Sequence, residues 1–109
     1  MDHIELWDKA KALMREELAN VSYTTWIEQP LKPVYVVDDK LALEVISDFN
    51  EKTIRARYLP MITEAVSQAA GREMTIELMS VKERIEWQER QKKEDAPAMQ
   101  GINMFNPKS

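Results

Sequence analysis

Prolines cut this chain into pieces that a continuous helix cannot span. Pro30 and Pro33 close the stretch SYTTWIEQPLKP, and Pro60 falls inside a second run of helical periodicity. Proline has no backbone N–H and its ring clashes with the preceding turn, so each one ends, kinks or restarts a helix. Before the first cut, Ile4, Leu6, Trp7, Ala10, Leu13, Met14, Leu18 and Val21 recur at spacings of three and four. That pattern predicts an amphipathic helix over residues 2–20. Ser22 to Glu28 reads as a second, short helix with Ser22 as candidate N-cap, stopped at Pro30.

After the cut the period changes. Val34, Val36, Leu41, Leu43 and Val45 alternate with other residues, which predicts strands over Leu31–Asp38 and Leu41–Ile46 joined by a turn at Asp38-Asp39-Lys40. Asp48, with Glu51 three residues on, forms a capping-box-like pair that opens the next helix. Its apolar face runs through Phe49, Ile54, Tyr58, Met61, Ile62, Ala65, Val66 and Ala69. Pro60 makes two consecutive helices the better reading, broken near Tyr58–Leu59, and Gly71 suits the closing position. Met74, Ile76 and Leu78 predict a third strand. The order α-α-β-β-α-α-β implies an α+β domain, a three-stranded sheet with helices on one face. After Ser80 the sequence turns charged and polar, and a flexible tail is the expectation. Glu86 with Arg90 and Glu89 with Lys93 allow nascent helix, which Ile85 and Trp87 alone would anchor.

The 109 residues suffice for one domain with one modest core. There is no cysteine, so disulfides and thiolate metal sites are excluded, and the single histidine, His3, cannot build a histidine metal site. The two glycines, Gly71 and Gly101, give no phosphate-cradling loop. Every serine lacks a histidine partner, and the pairs Glu16-Glu17 and Asp38-Asp39 sit on a solvated helix face and in a turn. No catalytic, cofactor or metal site is expected. A net charge of −4, from 15 basic and 19 acidic side chains, argues against strong independent binding to nucleic acid. No apolar run is long enough to span a membrane, so no membrane partner and a cytoplasmic location are expected.

LWDKAKALMREEL, SYTTWIEQPLKP and LALEVISDFNEKTIRARYLPMI, in that order, resemble the N-terminal domain, domain I, of the bacterial replication initiator DnaA. The resemblance rests on Leu6-Trp7 in the first helix, and on Tyr23, Thr25 and Trp26 in the second. It continues in Ser47-Asp48-Phe49 after a strand and Arg57-Tyr58-Leu59 at the helix break, and covers roughly residues 3–80. The terminal INMFNPKS resembles the entry to that family's ATPase domain at Asn106-Pro107-Lys108. The resemblance therefore implies a domain I over residues 1–80. Residues 81–109 would be a linker of domain II type, ending where an ATPase domain would start, so ATP is expected only in that missing domain. It implies a K-homology-like fold and an interaction module that self-associates, recruits the replicative helicase or its loader, and docks regulators of initiation. In some members it implies weak binding of single-stranded DNA. A single-stranded nucleic-acid-binding module is the alternative function, although the GxxG loop of the K-homology clamp is absent.

Residue by residue, two readings stay open. Trp7 lies on the apolar face, where core packing is one reading; the resemblance implies a self-association contact, widened by Ile4 and Leu6. Trp26 reads as a lid of the core; the resemblance implies that Thr25 and Trp26 form a docking surface for partners with Phe49 and Asn50. A short helix cannot bury all its sides, so one edge of the Trp26 ring is expected inside and the other outside. Ser22 matches a family position associated with helicase contact. Arg55 and Arg57 read as solvated surface, and Trp87 has no assigned role.

Overall fold

Asp2 caps the first helix. Its carboxylate accepts the Glu5 amide N–H at 2.8 Å, and α1 follows over His3–Glu17. This computed structural model describes the backbone of residues 1–100 and the side chains of residues 1–93. The expected stripe buries Leu6, Trp7, Ala10 and Met14. Its last member, Val21, is 76% exposed. The helix stops at Leu18 in extended backbone and restarts as α2, Asn20–Tyr23, so the period is reset before Val21. Ser22 is not a cap: α2 begins after Ala19, which makes no side-chain cap bond, and Ser22 lies within the helix. α2 runs directly into a π turn, Thr24–Glu28, in which the Gln29 N–H donates to the Thr24 carbonyl at 3.0 Å.

β1, Leu31–Val37, and β2, Lys40–Val45, form the expected antiparallel hairpin. Asp38 takes φ 54° in its turn, a left-handed conformation that aspartate tolerates better than most residues. Pro33 sits on an edge strand, where its missing N–H costs least, and the register shifts just after it. β3, Thr75–Ser80, pairs in parallel with the central β2, giving a mixed three-stranded sheet of order β1-β2-β3.

The parallel pairing needs a crossover, which residues 48–70 supply. α3, Asp48–Thr53, is capped by Ser47, not by Asp48: Ser47 is extended and its Oγ accepts the Asn50 N–H at 3.2 Å. Asp48 becomes a first-turn acid beside the positive end of the helix. A second π turn follows over Ile54–Tyr58, with the Leu59 N–H donating to the Ile54 carbonyl. α4, Leu59–Ala70, starts there with Pro60 in its first turn. Gly71 closes α4 at φ 75°, and the Gly71 and Arg72 amides both donate to the Ser67 carbonyl, at 2.9 and 3.2 Å. A Cβ at Gly71 would meet nothing within 4 Å. Gly71→Ala therefore strains only the backbone, and a lowered urea midpoint equivalent to about 1–2 kcal/mol is expected.

One face of the sheet meets α1 and α4 across a core that includes Trp7, Met14, Ile27, Leu41, Leu43, Val45, Ile54, Ile62 and Val66. The other face is not bare. α5, Val81–Gln100, starts on β2 and β3, so a helix stands over 81–100 where a tail with only nascent helix was expected. A reciprocal capping box starts this helix: the Ser80 N–H donates to Glu83 Oε1 at 2.8 Å, and the Glu83 N–H to Ser80 Oγ at 3.1 Å. Trp87 anchors it on the sheet, as the sequence allowed, whereas Ile85 is exposed. The INMFNPKS segment lies outside the described residues. Among those described, no helix is long and apolar enough to cross a membrane.

Candidate protein-docking surface

Both π turns end at one place on the surface. The first carries Trp26 and the second Tyr58, and the two rings stack with centroids 6.1 Å apart and 21° between planes. A π turn inserts one residue into the helical ladder and re-aims the side chains around it, which is why such turns recur at functional sites. Here Ile27 is fully buried while its neighbour Trp26 is only half-buried. The first turn of α3 then brings in Phe49, whose ring lies 6.1 Å from Trp26, tilted by 42°. Phe49 is 70% exposed, although helical periodicity assigned it to the apolar stripe.

Of the residues expected to form a docking surface, the fold brings Trp26 and Phe49 together across the intervening hairpin. Thr25 is exposed beside Trp26, and Asn50 is half-buried beside Phe49. Asn50 is held locally, since its Oδ1 accepts the Ser47 hydroxyl that its own N–H reaches back to. Ser22 is half-buried on α2, outside the ring contacts that join Trp26, Phe49 and Tyr58. Tyr58, the third ring, was missed as a site residue. Its signal was its place at the Arg57-Tyr58-Leu59 break; periodicity assigns it to the apolar stripe, and the π turn re-aims it toward Trp26. Lys52, Arg55 and Arg57 are exposed on the same crossover, with Arg55 paired to Glu51 at 3.0 Å.

The residues read for self-association separate. Leu6 and Trp7 are 3% and 1% exposed, so the expected surface patch is corrected at both: their side chains are core. Ile4 remains 55% exposed, at the lip of an open groove of about 350 Å³ that also takes in Lys11, Glu28 and Pro33.

A polar clamp holds the first π turn from behind. The Tyr23 hydroxyl donates to Glu28 Oε1 at 2.9 Å, and Lys11 Nζ lies 3.4 Å from that same oxygen. The Arg15 guanidinium sits 5.4 Å over the Tyr23 ring. Burial first, and then the bond to Glu28, push the Tyr23 phenol up to about 12. The Tyr23 hydrogen bond, followed by Lys11, draws the Glu28 carboxyl below its usual range against some desolvation. Because the phenol is raised in the fold, its contribution to stability is complete below about pH 10 and lost as pH rises through about 12. Because Glu28 is depressed, its contribution is present above the ordinary carboxylate range and lost as pH falls through the folded value. The thermal midpoint should be flat near neutrality and fall at both ends, and Tyr23→Phe should flatten the alkaline fall.

Comparison with known sequences decides the family. The model of the DnaA N-terminal domain matches residues 4–68. The chain belongs to the DnaA N-terminal domain family. Relatives named chromosomal replication initiator protein DnaA include that of Thermoanaerobacter pseudethanolicus, 30% identical over 109 residues. That alignment covers 98% of this chain and 24% of the relative. The Citrifermentans bemidjiense protein is 36% identical over 81 residues, covering 74% of this chain and 18% of its own length. The Geotalea uraniireducens protein is 36% identical over 73 residues, with 67% and 16% covered. This chain thus corresponds to the DnaA N-terminal region and spans less than a quarter of those proteins. In this DnaA N-terminal domain, the Trp26–Phe49–Tyr58 cluster lies within the matched segment.

Proposed function

We propose that this chain is a protein-interaction module of a bacterial replication initiator, and that Thr25, Trp26, Phe49, Asn50 and Tyr58 form its docking surface. The observation that carries this reading is Phe49: a large ring 70% exposed, leaning on a half-buried tryptophan that is itself stacked on a tyrosine. An aromatic centre with Thr25 and Asn50 beside it is the composition of an interface hot spot. The partners proposed are the replicative helicase or its loader and regulators of initiation. Self-association belongs to the same proposal, through Ile4 and the groove beneath it rather than through the Trp7 ring. The α-α-β-β-α-α-β order over residues 3–80 supports a K-homology-like arrangement, with residues from 81 leading toward the initiator's further domains.

The second reading, a weak single-strand-binding module, draws on the exposed Lys52 and Arg57 near the rings. One set of titrations tests both. The chain and its Trp26→Ala variant are titrated against the purified replicative helicase and loader of the source bacterium, and against a single-stranded oligonucleotide. Saturable helicase or loader binding that Trp26→Ala weakens supports the docking surface. Binding of the oligonucleotide alone, falling steeply with salt, supports the second reading instead.

A further inference from the structure

Ala42 and Met79 are buried on the face of the sheet that points away from the main core. Strand alternation puts them there. Leu41, Leu43 and Val45 face the core, so Ala42 and Glu44 face outward, and Met79 pairs in register with Glu44. The element packed over them is α5. Arg84 Nε meets Glu44 Oε2 at 2.9 Å, with those side chains 29% and 12% exposed, a pair well shielded from solvent. Trp87 stacks on Tyr35 with centroids 4.7 Å apart. Tyr35 is fixed in turn, since its hydroxyl donates to Glu77 at 3.1 Å and Glu77 pairs with Lys40 at 2.9 Å. Beyond these anchors, every residue from Gln88 to Lys93 is exposed.

We infer that α5 is a rigid arm: the sheet clamps its first two turns through Arg84 and Trp87, so the chain leaves the domain in one fixed direction instead of through a loose joint at Ser80. A short, charged helix is marginal in water because its first turn is costly to form. The docked turns and the Ser80–Glu83 capping box supply that nucleus, and each later residue before Pro97 then adds a hydrogen bond. The pairs Glu86–Arg90 and Glu89–Lys93 have the i,i+4 spacing that helps the projecting part. Pro97 interrupts the hydrogen-bond ladder, so the regular part of the arm, from Trp87 to Ala96, reaches about 14 Å past its anchor. The arm sets the bearing of whatever follows relative to the domain, and this holds whether or not the aromatic cluster docks a partner.

The chain has no cysteine, so nitroxide labels at Lys9→Cys and Lys92→Cys, both exposed positions, give an unambiguous pulsed-EPR distance. A single narrow distribution is expected, broadening about two-fold or more when Arg84→Ala and Trp87→Ala are combined on the labelled background. Both substituted side chains lie outside the main core, so the domain stays folded. Arg84→Ala alone, which leaves the stack over Tyr35, is expected to give an intermediate width. A broad distribution in the labelled parent, or one that stays narrow in the double variant, overturns the arm.

Discussion

Trp7→Ala lowers the unfolding free energy by about 3–5 kcal/mol, the range for truncating a large core aromatic. The ring is 1% exposed and packs among Leu6, Ala10, Met14 and the inner face of the sheet, where little can collapse into the space it leaves. Domains of this size have total stabilities of about 5–15 kcal/mol, so the variant sits near the edge of unfolding at room temperature. Urea melts followed by circular dichroism measure the loss directly. The result also separates two roles for the residue. A self-association contact, truncated, would leave the melt unchanged and shift only the sedimentation of the chain at high concentration. A shift in sedimentation with an unchanged melt would refute the core assignment.

For Phe49→Ala the expected pattern is the reverse. The ring is 70% exposed, so its removal costs little stability, within about 0.5 kcal/mol for an ordinary surface position. As a hot spot it contributes about 1–3 kcal/mol to partner binding, roughly a ten- to hundred-fold rise in Kd. Denaturant melts and helicase or loader titrations on one protein preparation decide it. A large loss of stability with normal binding after refolding would exclude Phe49 from the surface. Tyr58→Phe is the companion variant: it keeps the ring stacked under Trp26 and is expected to bind normally, whereas Tyr58→Ala removes the backing and weakens binding.

Most of the element order was legible because it depends on neighbours in sequence. Proline and glycine restrict the backbone wherever they stand, so the stop before β1, the restart of α4 at Pro60 and the close at Gly71 could be read directly. Alternation likewise gave the hairpin. At Asp48 the cap lies one residue earlier, at Ser47, where two adjacent polar residues compete and backbone geometry chooses between them; at Ser22 the helix starts three residues earlier, after Ala19, with no side-chain cap at all. Trp26 and Phe49 were legible as a pair because of the resemblance of their flanking residues to a known domain. Tyr58 was not, because ideal helical periodicity cannot register the extra residue of a π turn.

By itself, then, the sequence determined the order of elements up to Ser80, the breaks at Pro30, Pro60 and Gly71, the absence of cysteine chemistry, and the stripe that makes α1 amphipathic. Only the tertiary structure decided which member of a stripe is covered. Trp7 and Phe49 both lie on helical stripes, yet α4 and the sheet close over the first while the second, touched by Trp26, stays 70% exposed. Residues 81–93 show the same division: they carry too little apolar surface to predict a stable helix, and it is the outer face of a sheet, with Tyr35 and Glu44 already in place, that holds them as one. Burial is a property of pairs of surfaces, and a single strand of sequence specifies only one surface of each pair.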